Sequence, residues 1–148
     1  MLIYLDMCCF NRPFDDQSQT RIRFETEAKL ELQERVRKKE LRLVWSYVLD
    51  YENSHNPFAE RLASILLWRS LAEVRIREME SILEQGRSLM QLGIKPFDAL
   101  HVACAISANA DLFITTDDAL LRKLRGYPDL NALPPGDALS QVGHWYEN

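Results

Sequence analysis

Hydrophobic and polar positions alternate in blocks along the 148-residue chain, and the blocks switch between strand-like and helix-like spacing. Leu2 to Leu5 make a short apolar run that reads as a buried strand. Ser18 is placed to cap a long helix reaching about Glu40, with Phe24, Ala28, Leu32 and Val36 spaced by four along its inner face. "LRLVWS" reads as a second strand ending near Ser46, and Ser46 in turn caps a helical segment carrying "YVLDYEN". Asn56-Pro57 restarts a helix, with Phe58, Leu62, Ile65 and Leu66 inward.

"EVRI" predicts a third strand, followed by a helix with Met79, Ile82, Leu83 and Met90 that Gly93 ends. Pro96 opens "PFDALHVACAISANA", apolar nearly all round and therefore a buried helix. "DLFITT" is the clearest later strand, "DDALLRKL" starts a short helix, and the tail from residue 126 to 148 is expected to add an edge strand. Such alternation predicts an α/β fold around a mainly parallel sheet with right-handed crossovers. No linker suggests a second domain, so residues 1–148 are expected to form one, with its core over about 1–125.

Composition narrows the class. The 47% hydrophobic and 27% charged content is that of an ordinary globular protein. No stretch approaches the ~20 apolar residues of a membrane span. The first apolar run stops at Asp6, too early for a signal peptide, so a cytoplasmic protein is expected. Cys8, Cys9 and Cys104 are odd in number and lack zinc-site spacing, which marks them as reduced packing residues. The net charge of −4 disfavours a broadly basic nucleic-acid surface. A basic run does exist at Arg35, Arg37, Lys38, Lys39 and Arg42, open to two readings: a solvated helix end or a phosphate patch.

The acids carry the chemistry. Ligands of parallel open sheets bind beyond the carboxyl ends of the strands. Asp6 ends the first strand, Asp117 and Asp118 end "LFITT", and Glu52 lies about a turn and a half into the helix after the second strand. Asp98 opens a helix that runs antiparallel to the strand it precedes, which brings it to the same rim. Asp111, at the amino end of that strand, belongs on the opposite edge. Each acid also has an ordinary role open to it: Asp6 as turn former, Glu52 as solvated helix residue, Asp98 against a helix dipole, Asp117 as a cap.

Clustered carboxylates raise one another's pKa unless a cation offsets them. Hard oxygen ligands suit Mg²⁺ or Mn²⁺, and such a site suits phosphodiester hydrolysis. The histidines offer no rival site: His55 reads as an exposed turn residue, His101 as a satisfied buried histidine one turn after Asp98, and His144 lies in the tail. No G-x-S-x-G or P-loop is present. A haloacid-dehalogenase-type phosphatase would need D-x-D where this chain has Asp6-Met7-Cys8.

The order "IYLD", a Ser46-to-Glu52 spacing, "FDALHVACA" and "ADLFITTDD" resembles a PIN domain, most similar to small prokaryotic PIN proteins of the VapC type, over residues 1 to about 125. The resemblance implies a three-layer α/β/α sandwich and a Mg²⁺- or Mn²⁺-dependent ribonuclease. Its four acids fall on Asp6, Glu52, Asp98 and Asp117. Thr115 matches the hydroxyl residue two before the last acid, there to bind a metal water or orient Asp117. Asp50 competes with Glu52, and Asp118 with Asp117, where the T-x-D spacing decides.

The expected protein is an endoribonuclease in which Asp6, Asp98 and Asp117 hold the metal and Glu52 completes the cluster. Arg12 and the basic run are candidates to contact RNA, with Asp15 or Asp16 as the other possible partner of Arg12. Family analogy adds an antitoxin protein partner and a homodimer. The alternative is a catalytically weak module that binds a protein or RNA.

Overall fold

Every residue of the first strand, Leu2–Leu5 (β1), is buried, as a continuous apolar run requires at the centre of a sheet covered on both faces. The computed structural model describes the backbone of residues 1–147 and the side chains of residues 1–143. The side chain of His144 therefore lies outside the described residues.

Among the described residues, β1 is joined by β2 (Arg42–Ser46), β3 (Val74–Ile76), β4 (Leu112–Ile114) and β5 (Ala132–Leu133). They form one parallel sheet in the order β3-β2-β1-β4-β5. The helices are α1 (Met7–Asn11), α2 (Thr20–Arg37), α3 (Tyr47–Ser54), α4 (Ala59–Leu71), α5 (Glu80–Met90), α6 (Pro96–Ser107), α7 (Asp118–Leu124) and α8 (Pro135–Glu147). A 3-10 turn, Arg12–Phe14, follows α1.

The crossovers β1→β2 and β3→β4 travel in opposite directions across the sheet. With the usual right-handed sense, their helices fall on opposite faces, which makes the three-layer α/β/α arrangement. α5 packs on α6, and α2 packs on α8. The edge strand expected in the tail is β5, whereas α8 was not foreseen; it buries Ala138 and Val142.

Three sequence expectations need correction. α2 starts at Thr20 and lacks a Ser18 cap, because Ser18 turns its amide and hydroxyl to Asp16 Oδ1 at 3.0 and 2.7 Å. Phe24 is 59% exposed. Residues spaced by four drift ~40° per step on a 3.6-residue helix, so Phe24 leaves the stripe that Val36 defines. The face actually buried includes Lys29 and Gln33. Phe58 is likewise exposed: it is the cap position of α4, and Arg61 lies 4.2 Å over its ring.

β1 and β4 are clamped at both ends. Leu2 N–H donates to Asp111 Oδ2 (2.7 Å) and Asp111 N–H to Leu2 O (2.7 Å) at the amino edge. Asp6 N–H donates to Ile114 O (2.9 Å) at the carboxyl edge. Asp111 is thus structural and remote from the other acids, as its position in the sequence implied.

Candidate active site

Strand order reverses between β1 and β4, and the crevice beyond their carboxyl ends is where a parallel sheet receives ligands. Asp6 leaves β1 there and caps α1, its Oδ1 accepting the Met7 N–H at 2.8 Å. The Thr115 hydroxyl donates to Asp6 Oδ2 at 2.8 Å, so this buried carboxylate is held on both oxygens. Cys8 Sγ lies 3.5 Å from the same Oδ2 and 3.4 Å from Thr115 Oγ1, and all three cysteines are free.

Asp117 caps α7, with Oδ1 accepting the Ala119 and Leu120 N–H groups at 3.0 and 3.1 Å. Its own N–H donates to Thr115 Oγ1 at 3.2 Å. Thr115 therefore orients the Asp6 side chain and the Asp117 backbone, rather than the Asp117 carboxylate itself. The ordinary role open to Asp117, helix capping, is real and leaves its second oxygen uncommitted to the cap.

Asp98 sits in the first turn of α6, where Pro96 starts the helix. Its carboxyl is pushed up to about 6, first by burial and then by the negative charges of Asp6 and Asp117, with Glu52 adding a smaller push and His101 opposing. Four segments separated in sequence thus deliver carboxylates that feel one another.

Glu52, in α3, contacts His101 Nε2. His101 is buried one turn after Asp98, with Nε2 3.7 Å from Asp6 Oδ1. Its Nδ1 meets the Tyr4 hydroxyl at 2.5 Å, and that hydroxyl meets Ser46 Oγ at 2.7 Å. Ser46 caps α3 by accepting the Leu49 N–H at 3.3 Å. Burial opposes a charge on His101, yet the Glu52 hydrogen bond and the charges of Asp6, Glu52 and Asp98 outweigh it and raise its pKa. Burial holds the Tyr4 phenol well above its usual range, so it remains a hydroxyl. His101 thus links Glu52 to Tyr4, and Tyr4 links on to Ser46, in one buried chain of hydrogen bonds.

His101 is buried and satisfied, as its sequence position implied, but it also belongs to the site. Tyr4 and Ser46 were missed as site supports. The three-residue spacing from Asp98 to His101 hinted only at the histidine, since it puts both on one helix face, and neither Tyr4 nor Ser46 left such a signal.

The competing acids are committed elsewhere. Asp50 Oδ1 accepts the Trp45 indole N–H (2.9 Å) and an Arg69 N–H (3.2 Å). Asp118 is exposed and pairs with both terminal guanidinium nitrogens of Arg21 at 2.8 Å. Arg12 pairs with Asp15 (3.0 Å) and Glu25 (3.4 Å), not Asp16. The basic run ends α2 and enters the amino end of β2, on the edge opposite the acids. There Arg37 pairs with Glu34, Arg35 with Glu31 and Arg42 with Glu73, which favours the solvated helix end over the phosphate patch.

Among the described residues, no three His, Cys, Asp or Glu side chains close on one point as a metal-ligand group. The expected trio of Asp6, Asp98 and Asp117 shares a rim and an electrostatic field without forming a cage. Asp117 is turned to the α7 amides, and Asp6 to Met7 and Thr115. The donor chemistry still suits a hard divalent cation, which would offset the repulsion that raises Asp98. Mg²⁺ in particular keeps several waters and needs only one or two carboxylates from the protein.

A family model described as the PIN domain matches residues 3–126. No curated protein sequence matches the chain significantly. Among solved structures, the chain is similar to VapBC2 from Rickettsia felis bound to a DNA fragment from their promoter, with 18% identity, TM-score 0.56, and 90% of this chain and 98% of that chain covered. It is also similar to VapBC-1 from nontypeable Haemophilus influenzae, with 18% identity, TM-score 0.55, and 92% and 99% covered. At such identity the likeness speaks for the fold.

Proposed function

The chain belongs to the PIN domain family, and from that premise we propose that it is a cytoplasmic, divalent-metal-dependent endoribonuclease of the VapC type. The observation that carries this reading is the coupling of Asp98 to Asp6, Asp117 and Glu52 at the sheet's switch point. Asp6, Asp98 and Asp117 hold the metal, with Mg²⁺ or Mn²⁺ as the candidates. When bound, such an ion neutralises the phosphate and lowers the pKa of an attacking water. Thr115 keeps the Asp6 carboxylate aimed, and His101 fixes Glu52 so that it completes the acid cluster.

The surface beside these acids suits single-stranded RNA. Tyr51 and Phe97, each next in sequence to a site acid, are about half exposed and stacked 5.4 Å apart. Such rings offer a platform on which bases stack. An open cleft of about 320 Å³ adjoins Glu52 and carries Arg61 and His55. These groups replace the basic run as RNA contacts. The solved relatives named above are VapBC assemblies, which supports a protein antitoxin as partner; family resemblance also implies a homodimer.

The test is cleavage of a labelled, structured RNA pool with Mn²⁺, with and without EDTA. Asp117→Asn should lower cutting by at least about 100-fold, as loss of a charged group at the reacting centre does. Asp118→Asn removes only an exposed pair with Arg21, worth ~0–1 kcal/mol, and should leave cutting within about threefold. Equal loss in both variants would misplace the site. No cutting with any divalent metal would favour the binding-module reading.

A further inference from the structure

A cation is largely buried without an ion-pair partner outside the acidic rim. Lys29, on α2, is 4% exposed and, among the described residues, makes no hydrogen bond or ion pair. Its Nζ lies 5.6 Å from the centroid of the Phe10 ring. Buried charges are normally paired, because an unpaired one carries the full cost of desolvation. One turn along, Gln33 is 3% exposed, and its buried Nε2 has no hydrogen-bond partner. A further turn along stands Arg37, whose guanidinium lies 4.9 Å over the Trp68 ring and pairs outward with Glu34 at 3.5 Å.

Lys29, Gln33 and Arg37 are spaced by four, so they share one face of α2. All three line a cavity of about 170 Å³ between α1, α2 and α4, whose walls include Phe10, Leu30 and Trp68. No carboxylate lines it. Burial pushes the Lys29 ammonium down to about 8, with the Cys9 thiol opposing and repulsion from Arg37 adding a smaller push. The ammonium faces the cavity with no carboxylate to pair with, so a bound anion would stabilise its charged form.

We propose that this cavity is an anion-binding site that takes a single carboxylate carried on an apolar body. The ammonium of Lys29 and the amide of Gln33 supply donors to its oxygens, Arg37 adds positive charge at the mouth, and the aromatic walls receive the apolar part. A strongly hydrated ion such as free phosphate lacks the apolar part. Two sources share this chemistry: a free amphiphilic carboxylate, and an acidic side chain flanked by apolar residues in a peptide. The site is independent of the acidic rim, so its failure would leave the nuclease reading untouched.

The test titrates the whole protein with 4-phenylbutyrate, its neutral amide, phosphate, and the peptide Ac-Leu-Glu-Phe-NH₂, followed by calorimetry and amide chemical shifts at constant ionic strength. The carboxylate should bind at least about tenfold tighter than the amide, the cost of leaving Lys29 unpaired. Lys29→Met should lose that preference and, relieved of a buried charge, melt at a higher temperature than the wild type without ligand. Gln33→Glu supplies an internal carboxylate to Lys29 and should abolish binding. Tighter binding of the peptide would identify a protein source, and tighter binding of phenylbutyrate a free one. Equal binding of acid and amide, phosphate binding as well as phenylbutyrate, no binding of any probe, or a Lys29→Met variant that binds like the wild type would each overturn the proposal.

Discussion

Asp98→Asn should sharply lower metal-dependent RNA cleavage and, in the same protein under EDTA, raise stability at pH 7. The two effects share a cause. Asp98 is held among Asp6, Asp117 and Glu52, and its carboxyl sits at about 6 instead of 3.8. A carboxyl whose folded pKa lies above its unfolded one binds more protons when folded. Stability therefore falls as the pH rises from about 4 to 6, and the penalty is complete above that window. Asparagine removes it.

After allowance for solvent around a half-exposed carboxyl, the gain at pH 7 should be about 1 kcal/mol, vanishing near pH 4. Denaturant unfolding at the two pH values, with EDTA present, reads it directly. Cleavage should fall at least about 100-fold. A variant that loses activity and stability together would mean that Asp98 serves the fold instead.

His101→Ala carries the second large effect, on the scaffold itself. The imidazole joins Glu52 of α3 to Tyr4 of β1, and Tyr4 joins Ser46 of β2. Truncation leaves the buried Tyr4 hydroxyl short of a partner, strips Glu52 of its hydrogen-bond partner and opens a void beneath α6. Loss of one member of a buried charged network costs ~3–5 kcal/mol, and Glu52, being partly exposed, moves this case towards ~3 kcal/mol. His101→Gln keeps a polar group at the site and should recover about half of that. A cost under about 1 kcal/mol for the alanine variant would show that water replaces the imidazole without penalty.

The site was legible to different depths. Asp6 and Asp117 follow apolar runs, and a carboxylate just after such a run marks both the strand's end and its carboxyl edge. Asp98 required only the antiparallel sense of the following helix. Glu52 was harder to separate from Asp50: both lie on one short helix, and only the Trp45 and Arg69 contacts show Asp50 to be spent. The cations were left open between two roles for a related reason. A basic run announces itself in sequence, but its acidic partners Glu34, Glu31 and Glu73 are revealed only by contact. Arg21, which answers Asp118 across the rim, lies 97 positions away from it and left no local signal.

By itself the sequence determined the five strands, the helices from α2 to α7, the parallel α/β class and the rim on which the acids fall, because period and strand-end position are local properties. Only the tertiary structure decided the inner face of α2, with Lys29 and Gln33 turned inward, the Tyr4–His101–Glu52 relay, and which acids are already paired. Those depend on neighbours brought together from distant segments, and a side chain's partner, unlike its periodicity, is not encoded in the residues beside it.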